Sequence, residues 1–279
     1  MSSATPQLDY SSLKSEFSKN GFVVLKHFFP KEDMPALLDA ILQAKAAEGE
    51  GGLSKGTMQF RSNLFYNSPF IQSFISQKKV VDFLQNIIGT DFWIRWDQAV
   101  GKGPRSPVFP WHQDNGYNEL SCEHFQFWIA VTKSTKENGT IIVAPQSHLK
   151  GRLGHYYDGK HTCYTGNVDN PVMIEAEAGD VLLFSSLTLH KTLPNITDDD
   201  IRWAYVLEFM SIQDYDPSVP KPYFQISKNG QSFGQFIQTH PGKNLWSDIQ
   251  YTARKLKGPL RTHYNKLKSL FHNQSSSVA

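Results

Sequence analysis

Cysteine is scarce. Cys122 and Cys163 are the only two in 279 residues. They show neither the spacing of a thiolate metal site nor the dense array of a disulfide framework, so reduced thiols in a cytoplasmic protein are expected. No apolar run approaches the roughly 20 residues that span a bilayer. The opening Met1 to Pro6 lacks the basic and apolar regions of a secretory signal. Excess charge is missing too: the formal net charge is +2, which makes no general case for nucleic acid as a partner. No internal repeat or interdomain linker interrupts the chain. A single domain over 1–279, large enough to bury a sizeable core, is therefore expected. Oligomeric state is not legible.

What is plentiful is aromatic: 13% of residues, enough to fill a barrel with large rings. Charge is unevenly distributed. Residues 241–279 carry seven cations (Lys243, Arg254, Lys255, Lys257, Arg261, Lys266 and Lys268) against Asp248 alone, leaving the rest of the chain acidic. A basic C-terminal helical extension over about 241–272 follows, split by Gly258-Pro259. It is either a solvated helix face or a surface for an anionic partner.

The chain opens with helical patterns. A short amphipathic helix is expected over 8–19, then a strand at 22–25. Pro30 opens a helix to about Ala47, and helices follow at 68–76 and 78–88, the last closed by Gly89. From 92 the texture is β, with strands expected at 92–100, 106–112, 124–132, 139–144, 172–177, 181–186 and 201–211. Residues 146–170 read as a long loop over one mouth of a barrel. Helices first and many short strands afterwards indicate an α+β fold built on an antiparallel double-sheet barrel.

The chemistry gathers in a few residues. His112 and Asp114 lie in Pro110-Trp111-His112-Gln113-Asp114. In an extended segment residues i and i+2 point to the same side, so both can reach one ion. His190 follows the buried-strand pattern Val181 to Phe184, announced by the turn Gly179-Asp180. Two imidazoles and a carboxylate can occupy one face of iron(II) and leave the other open. Arg202 begins the apolar run to Met210, where alternation puts Arg202, Ala204, Val206, Glu208 and Met210 on one face. Charges there are expensive unless paired or given a ligand. Arg202 and Glu208 can answer each other, or Arg202 can fork onto a carboxylate.

These segments, in this order, resemble the phytanoyl-CoA dioxygenase-like branch of the iron(II)/2-oxoglutarate oxygenases. Asn20-Gly21-Phe22-Val23-Val24-Leu25 matches the family's usual opening, and Pro110 to Tyr117 its proximal metal motif. Trp128 and Asn138 to His148 match its middle signature. Ala178 to Phe184, His190, Asn195 and Arg202 complete the pattern, so the resemblance covers about 14–212. It implies a double-stranded β-helix (jelly roll) core with flanking N-terminal and C-terminal helices. His112, Asp114 and His190 would hold Fe(II), and Arg202 would grip the distal carboxylate of 2-oxoglutarate. Thr192, Gln98 and Thr140 match positions that contact this co-substrate, Lys102 matches a family lysine, and Trp128 would line the pocket. His148 is not counted as a ligand.

The implied reaction consumes 2-oxoglutarate and O2, releases succinate and CO2, and hydroxylates an unactivated C–H; ascorbate would serve as reductant. Related halogenases have a small residue where this chain has Asp114, so hydroxylation is expected over halogenation. The acidic main body lacks an obvious nucleotide-binding patch. A small polar metabolite or natural product is therefore the expected substrate, with Tyr117, Phe109, Arg61, Arg152, His155 and Tyr156 as candidates at its mouth. Two alternatives stay open: an acyl-CoA 2-hydroxylase of the same family, and a metal-binding jelly-roll sensor without turnover.

Overall fold

The computed structural model describes residues 9–44, 53–120 and 122–243, with Ile249 and Thr252. The expected basic C-terminal helix lies almost wholly outside these residues, as does the end of the helix placed at Pro30 to Ala47.

Asp9 starts helix α1 (Tyr10–Asn20) by accepting the backbone N–H groups of Ser11 and Ser12. Gly21 ends it in the left-handed region, φ 82°, where a Cβ would also meet Nδ1 of His148 at 2.3 Å. The chain turns at once into β1 (Phe22–Leu25). Pro30 opens a 3-10 turn, Lys31–Asp33, and α2 begins only at Met34 (Met34–Gln43), with Pro35 in its first turn. Helices α3 (Pro69–Ile75) and α4 (Lys78–Ile88) follow, the latter closed by Gly89 as expected.

The main sheet is antiparallel throughout. Its order is β1, β10 (Val181–Ser185), β5 (Phe125–Ala130), β12 (Arg202–Ser211), β3 (Phe92–Lys102), β13 (Tyr223–Lys228) and β14 (Gln231–Ile237), with β2 (Met58–Ser62) also on β3. A smaller sheet stacks against it in the order β4 (Phe109–His112), β11 (His190–Thr192), β6 (Ile141–Val143) and β9 (Val172–Ile174). Both sheets are open, so the core is a two-sheet jelly roll and not a closed barrel. Strands β2, β13 and β14 were not expected. Met58–Ser62 is only five residues long, with Met58 and Phe60 its only apolar residues, and β14 is a largely exposed edge whose polar residues face water.

Alternation on the central strands separates two interiors. On β12, Trp203, Tyr205, Leu207 and Phe209 pack outward against α2, α3 and α4 in the larger core. Ala204 and Val206 face the small sheet, with Trp128, Ile141 and Phe184. The pairing with β3 shifts after Glu208. Glu208 pairs with Trp96 and Phe209 with Ile94, so Arg95 is the extra residue of a β-bulge. Met210, opposite Trp93, packs with it and Tyr223 in a third cluster beyond Glu208.

The turn before β10 depends on glycine. Gly179 has φ 91°, and a Cβ there would lie 2.3 Å from the Phe29 carbonyl oxygen. Asp180 is buried beside it, accepting from the backbone of His27 and Glu177 and pairing with Lys26. This motif is a structural tie.

Candidate metal and co-substrate site

His112 and His190 are register partners across the antiparallel β4–β11 pair. That places their rings together, with centroids 4.0 Å apart. Gln113 keeps the chain extended (φ −111°, ψ 140°), so Asp114 comes to the same side although it already begins the short helix α5 (Asp114–Asn118). The Asp114 oxygens lie 3.7 Å from Nε2 of His112 and 3.8 Å from Nε2 of His190. Gln113 itself is a staple. Its amide nitrogen donates to the carbonyls of Gly151 and Leu187, and its oxygen accepts from Leu153 N, fastening the loops on either side.

The donor set fits a divalent metal. Nδ1 of His112 lies 2.9 Å from the Pro110 carbonyl, and Nδ1 of His190 lies 3.0 Å from that of Thr188. Those carbonyls hold the ring proton on Nδ1, leaving both Nε2 lone pairs free to ligate. Burial holds the two imidazoles neutral: His112 is pushed well below its usual range and His190 down to about 4. Oδ2 of Asp114 is buried without a hydrogen-bond partner. Burial, then the neighbouring Glu208, raises this carboxyl well above the usual range, a penalty that a bound cation would reverse. Among the described residues these three alone form such a group.

The triad opens into a cavity of about 600 Å³. At one end lies Arg202, fully buried, donating to the Gly139 carbonyl at 2.9 Å while its Nε has no partner. Gly139 has φ 94°, and a Cβ there would come within 2.6 Å of Lys102. Lys102 sits just behind the wall, its ammonium 2.6 Å from the Pro107 carbonyl and 3.3 Å from the Thr192 hydroxyl. Burial pulls Arg202 down to about 9, and burial together with Arg202 pulls Lys102 down to about 7. Two desolvated cations with no carboxylate between them suit the distal carboxylate of a dicarboxylic acid.

The expected residues separate cleanly. Thr192, Gln98 and Trp128 line the cavity beside the triad and Arg202. Thr140 does not. Its hydroxyl donates to Ile174 O and accepts from Ser134, so a polar side chain expected at the co-substrate is turned into the wall between β6 and β9. Asn195 pins the loop before β12 through the Lys102 and Asp200 carbonyls. His148 packs over Gly21 with Nε2 facing the Ser18 carbonyl, away from the triad.

At the mouth, Phe109 and Tyr117 line the cavity. Arg61 instead caps the end of α2 through the carbonyls of Ile41, Leu42 and Ala44, and Arg152 pairs with Glu119. His155 accepts from Gln113 N and does not reach the cavity, nor does the exposed Tyr156. The segment 146–170 does cross the mouth. It carries the small hairpin of β7 (Tyr156–Tyr157) and β8 (Thr162–Cys163), which brings Lys160 and His161 over the opening.

Sequence reasoning missed the far end: Arg95, Asn118, Gln126 and the true partner of Glu208. The arginine inside the apolar stretch Phe92 to Trp96 was the available signal, because a buried cation demands a partner.

An open jelly roll with this triad beside a buried arginine–lysine pair defines the class of iron(II)- and 2-oxoglutarate-dependent oxygenases. The phytanoyl-CoA dioxygenase family model matches residues 17–204, and the chain belongs to that family. Among curated relatives, 1-deoxypentalenic acid 11-beta-hydroxylase of Streptomyces arenae is 23% identical over 222 residues, covering 70% of this chain and 78% of that one. Methylphosphonate hydroxylase of Gimesia maris is 30% identical over 180 residues, covering 63% and 65%. Among solved structures, the non-heme monooxygenase ThoJ superposes with TM-score 0.64 at 19% identity, over 86% of this chain and 94% of that one. The epimerase SnoN, crystallised with Fe3+, alpha-ketoglutarate and nogalamycin RO, gives 0.62 at 14% identity, over 80% and 95%. No helix among the described residues is long and apolar enough to cross a membrane.

Proposed function

We propose that this protein hydroxylates an unactivated C–H of a small polar metabolite or natural product. His112, Asp114 and His190 would hold Fe(II), and Arg202, with Lys102 and Thr192 behind it, would hold the distal carboxylate of 2-oxoglutarate. One observation carries the reading: Arg202, buried without a counter-charge, lines the same cavity as the metal triad, with Lys102 behind it against Thr192. When bound, the metal and 2-oxoglutarate supply an oxidant made from O2, with succinate and CO2 released and one oxygen atom delivered to the C–H carbon. The protein's own contribution is placement. Gln98 and Trp128 line the wall beside the co-substrate end, the fixed imidazole tautomers keep the ligating nitrogens aimed inward, and the apolar walls exclude water from all but the opening. The hydroxylases among its relatives support this reading, and the free cysteines Cys122 and Cys163 suit a cytoplasmic setting.

The test is oxygen-dependent succinate formation by purified, Fe(II)-loaded protein, with and without extracted metabolites and with ascorbate as reductant. Stimulation by a metabolite fraction, and a product one oxygen heavier by mass spectrometry, is the expected result. Metal and 2-oxoglutarate binding with no succinate under any condition would leave a sensor instead.

A further inference from the structure

The cavity has a second polar end. Arg202 and Glu208 leave the same face of β12 six residues apart, a span of about 20 Å, and both line it. With 2-oxoglutarate at the Arg202 end, the substrate would occupy the Glu208 end. This step rests on that reading of the cavity.

Glu208 does not stand alone. The bulge on β3 turns Arg95 inward beside Trp96, so that both consecutive residues face the cavity. Each nitrogen of the Arg95 guanidinium is already engaged. Nε donates to Asp216 at 2.6 Å, one terminal nitrogen donates to Glu208, and the other to Asn118 at 3.1 Å. An incoming anion would have to share a guanidinium whose three nitrogens already hold Asp216, Glu208 and Asn118. Two carboxylates share this one cation. The remaining neighbour, His124, lies 3.8 Å from Glu208 and is held neutral by burial. Burial raises the Glu208 carboxyl and Arg95 opposes that rise; with both carboxylates ionised the pole carries an excess of negative charge.

Gln126 supplies an independent sign of a ligand. It is almost wholly buried and lines the cavity. Its amide nitrogen is directed at the Glu208 carboxylate and helps to hold it charged, but at least one of its two N–H groups has no acceptor. A buried donor left unpaired is costly, and a ligand atom would relieve it. An alcohol oxygen can donate to Glu208 and accept from Gln126 together. An ammonium can satisfy Glu208 alone.

We propose that the end of the cavity built by Glu208, Arg95 and Gln126 binds a hydrogen-bond-donating group of the substrate, an alcohol or an amine, and rejects anionic substrates. The polar group is held at this pole while the C–H to be oxidised lies nearer the triad. Phosphonates, phosphates and carboxylates would meet the uncompensated carboxylate.

The test uses the full chain loaded with Mn(II) and 2-oxoglutarate, titrated calorimetrically with four probes sharing one apolar tail: hexanol, hexylamine, hexanoate and hexylphosphonate. Hexanol and hexylamine are expected to bind at least about tenfold more tightly than the two anions. Anions binding equally well or better, or neither donor probe binding at millimolar concentration, would overturn the proposal. Glu208→Gln should weaken both donor probes. Gln126→Leu, which leaves the Arg95–Glu208 pair in place, should weaken hexanol and spare hexylamine. If Glu208→Gln fails to fold, the ranking on the unaltered protein still decides. Binding of 2-oxoglutarate is measured first in the same cell: its absence counts against the reading of the Arg202 end, whereas its presence with the wrong probe ranking counts against this inference alone.

Discussion

Arg202 and Glu208 share one face of β12 but do not pair. Arg202 donates to the Gly139 carbonyl and keeps an unpartnered Nε, whereas Glu208 pairs with Arg95 from the bulge on β3, a cation it shares with Asp216. The separation matters for function. Had the two charges met, the arginine would have been a structural counter-ion. Held apart, it is a buried cation that needs a ligand, and the strand presents a cation toward one end of the cavity and a carboxylate toward the other.

His112→Ala, Asp114→Ala and His190→Ala should each abolish iron-dependent succinate formation and lower iron stoichiometry, with thermal stability nearly kept. The three side chains line an open cavity, and the strand pairing of His112 with His190 depends on backbone. Metal analysis and turnover of purified variants check this, and full activity in one variant would remove that residue from the ligand set.

Arg202→Lys keeps the charge and loses the fork, so affinity for 2-oxoglutarate should fall on the order of tenfold, and further in Arg202→Ala. The dependence of succinate formation on 2-oxoglutarate concentration measures it. An unchanged dependence in both variants would mean that the arginine has another partner.

Lys102 gives a pH signature. Burial, then Arg202, draws it from 10.5 to about 7. An unfolded chain keeps that proton to about pH 10, so between about 7 and 10 the unfolded state binds more protons. In that window the contribution of Lys102 to stability rises with pH, and it is at its lowest below 7. A carboxylate arriving beside it would restore the charge. Binding of 2-oxoglutarate above pH 7 should therefore take up a proton, seen as a calorimetric enthalpy that depends on buffer ionisation. Lys102→Met should remove the uptake, and none in the unaltered protein would take Lys102 out of the co-substrate end.

Asp114 predicts the reaction outcome. With the carboxylate in place, saturating chloride should leave the product oxygenated and free of halogen by mass spectrometry. Asp114→Gly would vacate a ligand position that chloride could enter, although the surrounding residues are not arranged to favour halogen transfer. A chlorinated main product from the unaltered protein would contradict hydroxylation.

Much of the site could be read from local pattern. The extended His112-Gln113-Asp114 segment, the turn at Gly179-Asp180 and the strand leading toward His190 are short-range features, set by backbone periodicity and turn chemistry within a few residues. The fold class followed from the same periodicity, helices first and short strands after. The edge strands β2 and β14 escaped because their patterns are short or weak: β2 alternates only over Met58 to Arg61, and β14 is largely exposed with a glycine inside it. They are strands through the partners that β3 and β13 offer.

Which polar side chains meet was decided by tertiary structure alone. Thr140, just before β6, and Thr192, at the end of β11, are alike in type, but one hydroxyl turns into the wall toward Ile174 and the other residue lines the cavity within reach of Lys102. Arg95 enters the cavity because one residue of β3 has no counterpart on β12, a fact of pairing between two strands and not a property of either. Sequence marked His112, Asp114, His190 and Arg202 as candidates and indicated the class of fold, because each signal lies within a single segment; the β4–β11 register brought His190 to the other two. Register, bulge and burial, which exist only between segments, decided that Glu208 would belong to Arg95 and leave Arg202 free for a ligand.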